Sequence, residues 1–278
     1  EYSRGLRVRV RMSEAPGLLR FGGWVFVDTL LATLLATADR FAIGAVLGAE
    51  KVTIFTIPYQ LAQRLTIVPN ALSSALFPQL PSASGEERAA GGRDVMLVVI
   101  ALLSPVVAAA LFLIHPFMDV WLGAQLGGPS AEVGMILLLG FWFLALGWVP
   151  FTLLLGAGRP ALLAKIHLAE TPPYLAALYL ALTSAGLPGA GMALLGRAAF
   201  DLILLCLMTE QARMLRPVAT FAAVLGASAA AAYALPYREP AHWAVGAVSC
   251  LVLTAMAWGV LPARLRTRGR GLLSKAFA

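Results

Sequence analysis

VMLVVIALLSPVVAAALFLI, Val95–Ile114, contains no charged residue and no amide. As a helix, twenty such residues rise about 30 Å, the thickness of a bilayer's hydrocarbon core. Seven further stretches read the same way, over residues 21–47, 53–77, 133–156, 161–183, 189–208, 217–236 and 241–262. Core helices of soluble folds are shorter and amphipathic, so the pattern predicts an all-α polytopic membrane protein with about eight spans. Composition agrees, with 60% hydrophobic and 13% charged residues against roughly 25% charged in soluble domains.

The net charge of +7 sits mostly in the connections between spans. Arg4, Arg7, Arg9, Arg11 and Arg20 precede the first span. Arg88 and Arg93, then Arg159 and Lys165, then Arg213 and Arg216 mark alternate connections, and Arg264, Arg266, Arg268, Arg270 and Lys275 close the chain. The intervening connections carry only Lys51 and Arg238. The positive-inside rule then puts both termini in the cytoplasm. Positive charge placed this way implies no nucleic-acid partner, and RLRTRGRG in the tail reads as topology or as contact with anionic membrane lipids. The longest connection on the other side runs from His115 to Glu132, and Trp121, Trp243 and Tyr237 fall where interfacial aromatics belong.

Cys206 and Cys250 both lie inside spans, giving no disulfide framework and no metal-ligand spacing. No GxxxxGK[ST] loop, GxSxG or HExxH occurs, so neither a cofactor, a metal nor an enzymatic reaction is indicated. GAGRP at Gly156–Pro160 and GLPGAG at Gly186–Gly191 follow no strand and read as turns between helices. The opening EYSRGLRVRVRMSEAPGLLR has neither an initiator Met nor an apolar leader. That suggests a piece of a longer protein.

Each charge placed in the bilayer costs about 2.5–3.5 kcal/mol even on a lenient scale. Apart from Lys165 at a span's edge, seven fall inside the spans: Asp28, Asp39, Arg40, Arg64, Glu170, Arg197 and Asp201. Counting about 1.5 Å per residue from the span ends puts Asp28, Arg64, Glu170, Arg197 and Asp201 in one layer near the midplane. Asp39-Arg40 comes out near the outer face, where Arg40 can snorkel. One reading is neutralisation for assembly, Arg197 pairing Asp201 at i, i+4 and Asp28 pairing Arg64. The other is a polar cavity in which Arg64 and Arg197 contact an anionic ligand. In AKIHLAETPPYL, His167 and Glu170 share a face just before Pro172-Pro173. The two prolines are expected to kink or break the helix, forming a proton-sensitive hinge. Pro58, Pro69, Pro105 and Pro150 suggest bends in other spans.

Two blocks resemble a known family. The first is Arg20–Leu80, with FGGW at its start, DRFAIG at Asp39–Gly44, IPYQL at Ile57–Leu61 and LFPQL at Leu76–Leu80. The second is GAGRPALLAKIHLAETPPYL followed by GLPGAGMALLGRAAFDLILL. Both resemble bacterial polysaccharide flippases, of the superfamily that also holds multidrug-and-toxin (MATE) exporters and lipid II flippases. The resemblance implies an inner-membrane transporter of undecaprenyl-diphosphate-linked oligosaccharide, built from two six-helix bundles and working by alternating access. It gives Arg64 and Arg197 the diphosphate and sugars. Asp28, Glu170 and Asp201, with His167 beside them, take ion coupling. In that family these motifs open the second half of a chain of 12 to 14 spans, whereas here they open the chain. The implied organisation is a basic segment (1–20), a six-helix bundle (21–208), two accessory helices (209–262) and a basic tail (263–278). Its partners are the lipid-linked oligosaccharide, membrane lipids, and either a missing N-terminal bundle or a second copy. A related cation exporter and a non-transporting membrane subunit are the other readings.

Overall fold

The computed structural model describes residues 15–76 and 84–261. The basic N-terminal segment up to residue 14, Phe77–Leu80 of LFPQL and the basic tail from residue 262 lie outside the described residues. All described regular structure is helical. The helices are α1 (Ala15–Leu47), α2 (Ala49–Gln63), α3 (Ile67–Leu76), α4 (Gly85–Leu122), α5 (Ala124–Gly156), α6 (Pro160–Met208), α7 (Leu215–Ala234) and α8 (Pro240–Val260). One 3-10 turn, Arg64–Thr66, joins α2 to α3, and another, Ala212–Met214, leads into α7. Six of these helices are long and apolar enough to cross a membrane.

The expected eight spans map onto these helices in two unexpected ways. The second span is not one helix, because the 3-10 turn at Arg64–Thr66 divides it. The fifth and sixth spans are joined in α6, whose 49 residues would reach about 74 Å if straight. It turns back at Gly186, which has φ 63° and ψ −140°, a conformation essentially restricted to glycine. Past the turn, Gly189 meets the Ala181 carbonyl so closely that a Cβ there has no room. Contacts between His167 and Asp201 and between Tyr174 and Arg197 show the two arms running antiparallel. Of the expected kink or break at Pro172-Pro173, the break is therefore corrected. Both prolines sit within helix, and the helical geometry fails only at Gly186. A proline forfeits one backbone bond, which neighbouring helices tolerate in a membrane, whereas the reversal here takes a positive φ at Gly186.

The expected connection from His115 to Glu132 is also corrected. α4 runs on to Leu122 and α5 starts at Ala124, leaving Gly123 alone between them. Gly127 lies against Asp119, so the helices close on each other at the turn. Further along, Trp142 is fully buried and donates its indole N–H to Ser104 Oγ at 3.1 Å.

α4 and α5 form the centre of the molecule. α2, α3 and both arms of α6 pack on α5, and α1 closes over α2 and α6. α7 and α8 lie mainly against α4. There Gly246 admits Phe112, and buried His242 reaches the carbonyls of Phe112 and Leu235, both at 2.9 Å. Tyr237 donates to Asp119 Oδ2 at 2.8 Å. The exterior is rich in large apolar side chains such as Leu19, Phe41 and Leu251, the surface a bilayer requires.

Candidate functional site

Four of the seven charges inside the spans, Asp28, Asp39, Arg197 and Asp201, line one chamber. Asp28 and Asp39 are eleven residues apart on α1, three turns, and so share a face with Leu35 and Ala36. His167, Glu170 and Tyr174 share a face of the first arm of α6, at i, i+3 and i+7. Arg197 and Asp201 lie at i, i+4 on the second arm. Where these faces meet α2 and α5 they enclose a cavity of about 390 Å³ whose charged lining is Asp28, Asp39, His167, Arg197 and Asp201.

His167 is the centre of the arrangement. Its Nδ1 lies 2.6 Å from Asp28 Oδ1, and its Nε2 lies 3.5 Å from Asp201 Oδ1. A carboxylate only accepts, so Nδ1 donates to Asp28, while Nε2 faces Asp201 Oδ1 at ion-pair distance without a hydrogen bond. The ring also stacks on Phe151 at 11°, which fixes its plane. α1 and both arms of α6 are thus connected through one titratable side chain.

A second cluster lies farther along α1. Tyr174 donates its hydroxyl to Asp39. The Arg197 guanidinium stands 4.8 Å above the Tyr174 ring, and Arg40 stands 4.8 Å above Tyr59, both cation–π contacts. Asp39, which the sequence places beside a snorkelling Arg40, is 2% exposed and sits inside this cluster.

Glu170 stands behind this cluster. The residue is 6% exposed, and neither carboxylate oxygen has a hydrogen-bond partner among the described residues. It faces a groove of about 760 Å³ between the arms of α6, lined chiefly by Ala169, Pro173, Ala177, Ala193 and Phe200, and Arg197 lines both spaces.

Of the residues singled out from sequence, Asp28, His167, Arg197 and Asp201 line the chamber, and Glu170 adjoins it. Arg64 does not. It opens the 3-10 turn with its side chain exposed, while its neighbours Gln63 and Thr66 line the chamber. The expected pairings are replaced accordingly, since Asp28 pairs with His167, Asp201 faces His167 and Arg197 covers Tyr174. Pro172 and Pro173 lie within the first arm, and Pro173 lines the groove. Sequence reasoning overlooked Tyr59 and Tyr174. Both stand in quoted motifs, IPYQL and PPYL, and Tyr174 continues the face of His167 and Glu170.

Residues 2–127 match the family described as "Polysaccharide biosynthesis protein". A Shigella flexneri protein named "Putative O-antigen transporter" is 31% identical over 189 residues, which are 68% of this chain and 45% of that protein. The chain therefore spans less than half the length of the curated relative it matches. No solved structure matches. The resemblance carried by Arg20–Leu80 is borne out.

Proposed function

Since the chain belongs to the polysaccharide biosynthesis and O-antigen transporter family, we propose that it carries a lipid-linked oligosaccharide, diphosphate-linked, across the bacterial inner membrane by alternating access. In this reading it is one half of the transporter, completed by another six-helix bundle or a second copy, with both termini cytoplasmic. The observation that carries it is His167 held between Asp28 and Asp201 in a chamber bounded by α1, α2, α5 and α6. Ionisable groups in a bilayer are costly and mark ion paths and proton relays.

The proposal divides the work. The chamber holds three lining carboxylates against one arginine and one histidine, a balance suited to a coupling cation or proton. Protonated His167 ties α1 to both arms of α6; a proton lost from either nitrogen removes one tie and frees the helices to move. Arg64, exposed at the break in the second span, takes the diphosphate, for which a guanidinium's paired donors are suited. Arg197 balances Asp39 and Glu170 at the boundary between chamber and groove.

An acid-rich chamber also favours a second reading, export of small organic cations. The two separate on substrate. In a cell whose own gene is deleted, the intact protein is expected to restore surface polysaccharide, and Arg64→Gln to lower that restoration at least tenfold at equal membrane level. Restored resistance to cationic drugs without polysaccharide would select the second reading.

A further inference from the structure

We infer that a polar strip on α1 and the second span, opening from the chamber, binds the sugar part of the cargo. The inference rests on the transporter reading above and adds to it a surface that recognises neutral saccharide.

Thr29, Thr33 and Thr37 recur every four residues on α1, and the first two are exposed. Each donates its hydroxyl to a preceding backbone carbonyl, Thr29 to Val25 at 2.9 Å, Thr33 to Thr29 at 2.8 Å and Thr37 to Thr33 at 3.0 Å. With their protons engaged, the hydroxyl oxygens present lone pairs outward, and acceptors of that kind suit the hydroxyl donors of a sugar. Across the cleft stands exposed Gln63 of α2 with Arg64 exposed beside it, and Asn70 of α3, exposed seven residues on, falls roughly on the same helix face. Amides supply both donors and acceptors. Thr29, Thr33, Thr37 and Gln63 line one cleft of about 370 Å³, and its Thr29, Tyr59 and Gln63 also line the chamber. The strip is thus continuous with the chamber and passes beside Arg64, the residue assigned to the diphosphate. From Thr29 to Thr37 it runs about 12 Å.

A lipid-facing surface does not suit these residues. Threonines bonded to their own backbone are tolerated in hydrocarbon, but Gln63, Arg64 and Asn70 exposed to it are not. Close packing against another transmembrane bundle favours small residues that let backbones approach, whereas this face carries long amides, an arginine and an open cleft. A hydrated polyhydroxylated ligand fits both the chemistry and the space.

The test has two parts in the producing cell. Single cysteines at Thr33, Gln63 and Asn70, in a background lacking Cys206 and Cys250, are probed with a small water-soluble methanethiosulfonate. Labelling is expected at all three, and at least threefold slower in cells that accumulate the lipid-linked glycan than in cells that cannot make it. No labelling would mean lipid or another bundle covers the face, and equal rates in both cells would mean no glycan sits there; either result overturns the inference. In parallel, Thr33→Val, Gln63→Leu and Asn70→Leu together are expected to lower polysaccharide export at least tenfold at normal membrane level. If the parent protein exports and this variant equals it, the strip fails while the transporter reading stands. If the parent protein supports no export, that reading fails and takes the strip with it.

Discussion

In the proposed mechanism, single charged side chains carry most of the function. Asp28 accepts from His167 at 2.6 Å and has almost no exposure, 7%. Asp28→Asn keeps the shape but removes the charge that holds a protonated imidazole, and it leaves His167 facing one carboxylate rather than two. Export is expected to fall at least tenfold while the protein still inserts, read from surface polysaccharide against membrane level. Unchanged export at normal level would make the Asp28 charge dispensable. Asp28, Glu170, Arg197 and Asp201 were legible in the sequence because a charge inside an apolar run is costly and therefore conspicuous. Their partners were not legible. Whether Asp28 meets Arg64 or His167 depends on how helices distant in sequence rotate against each other, and in this packing Arg64 is exposed outside the chamber lining.

At the scale of elements, hydrophobic length located the helices, six of them long and apolar enough to cross a membrane among the described residues, but the breaks fell elsewhere than the prolines suggested. Pro172 and Pro173 announce a broken helix, yet α6 continues through both and reverses at Gly186. The reason is steric. A missing N–H can be absorbed by neighbours, while the Gly186 conformation excludes almost any Cβ. Gly186→Leu should therefore cost about 1–3 kcal/mol and lower the thermal midpoint of the detergent-purified protein. Pro173→Ala should leave that midpoint unchanged or slightly raise it. The reverse order would restore Pro172-Pro173 as the place where the helix gives way. The Gly123 junction was hidden for a related reason. Residues 115–132 carry turn-forming Pro and Gly, but Pro116 and Pro129 are both accommodated within helix.

For the whole molecule, alternating loop charge implied an even number of passes, and the packing has the matching helix directions. Asp28 with His167 and Asp39 with Tyr174 set α1 parallel to the first arm of α6. Cys250 near Pro105 and His242 at Phe112 set α8 antiparallel to α4. The same geometry makes the central proposal one of coupling, because one histidine joins α1 to both arms of α6. The direct measurement is uptake of a fluorescent lipid-linked oligosaccharide by proteoliposomes holding the intact protein, with and without an imposed pH gradient. The parent protein is expected to respond to the gradient at least fivefold, and His167→Gln to transport at one rate regardless of it. An equal gradient response from both proteins would contradict the account.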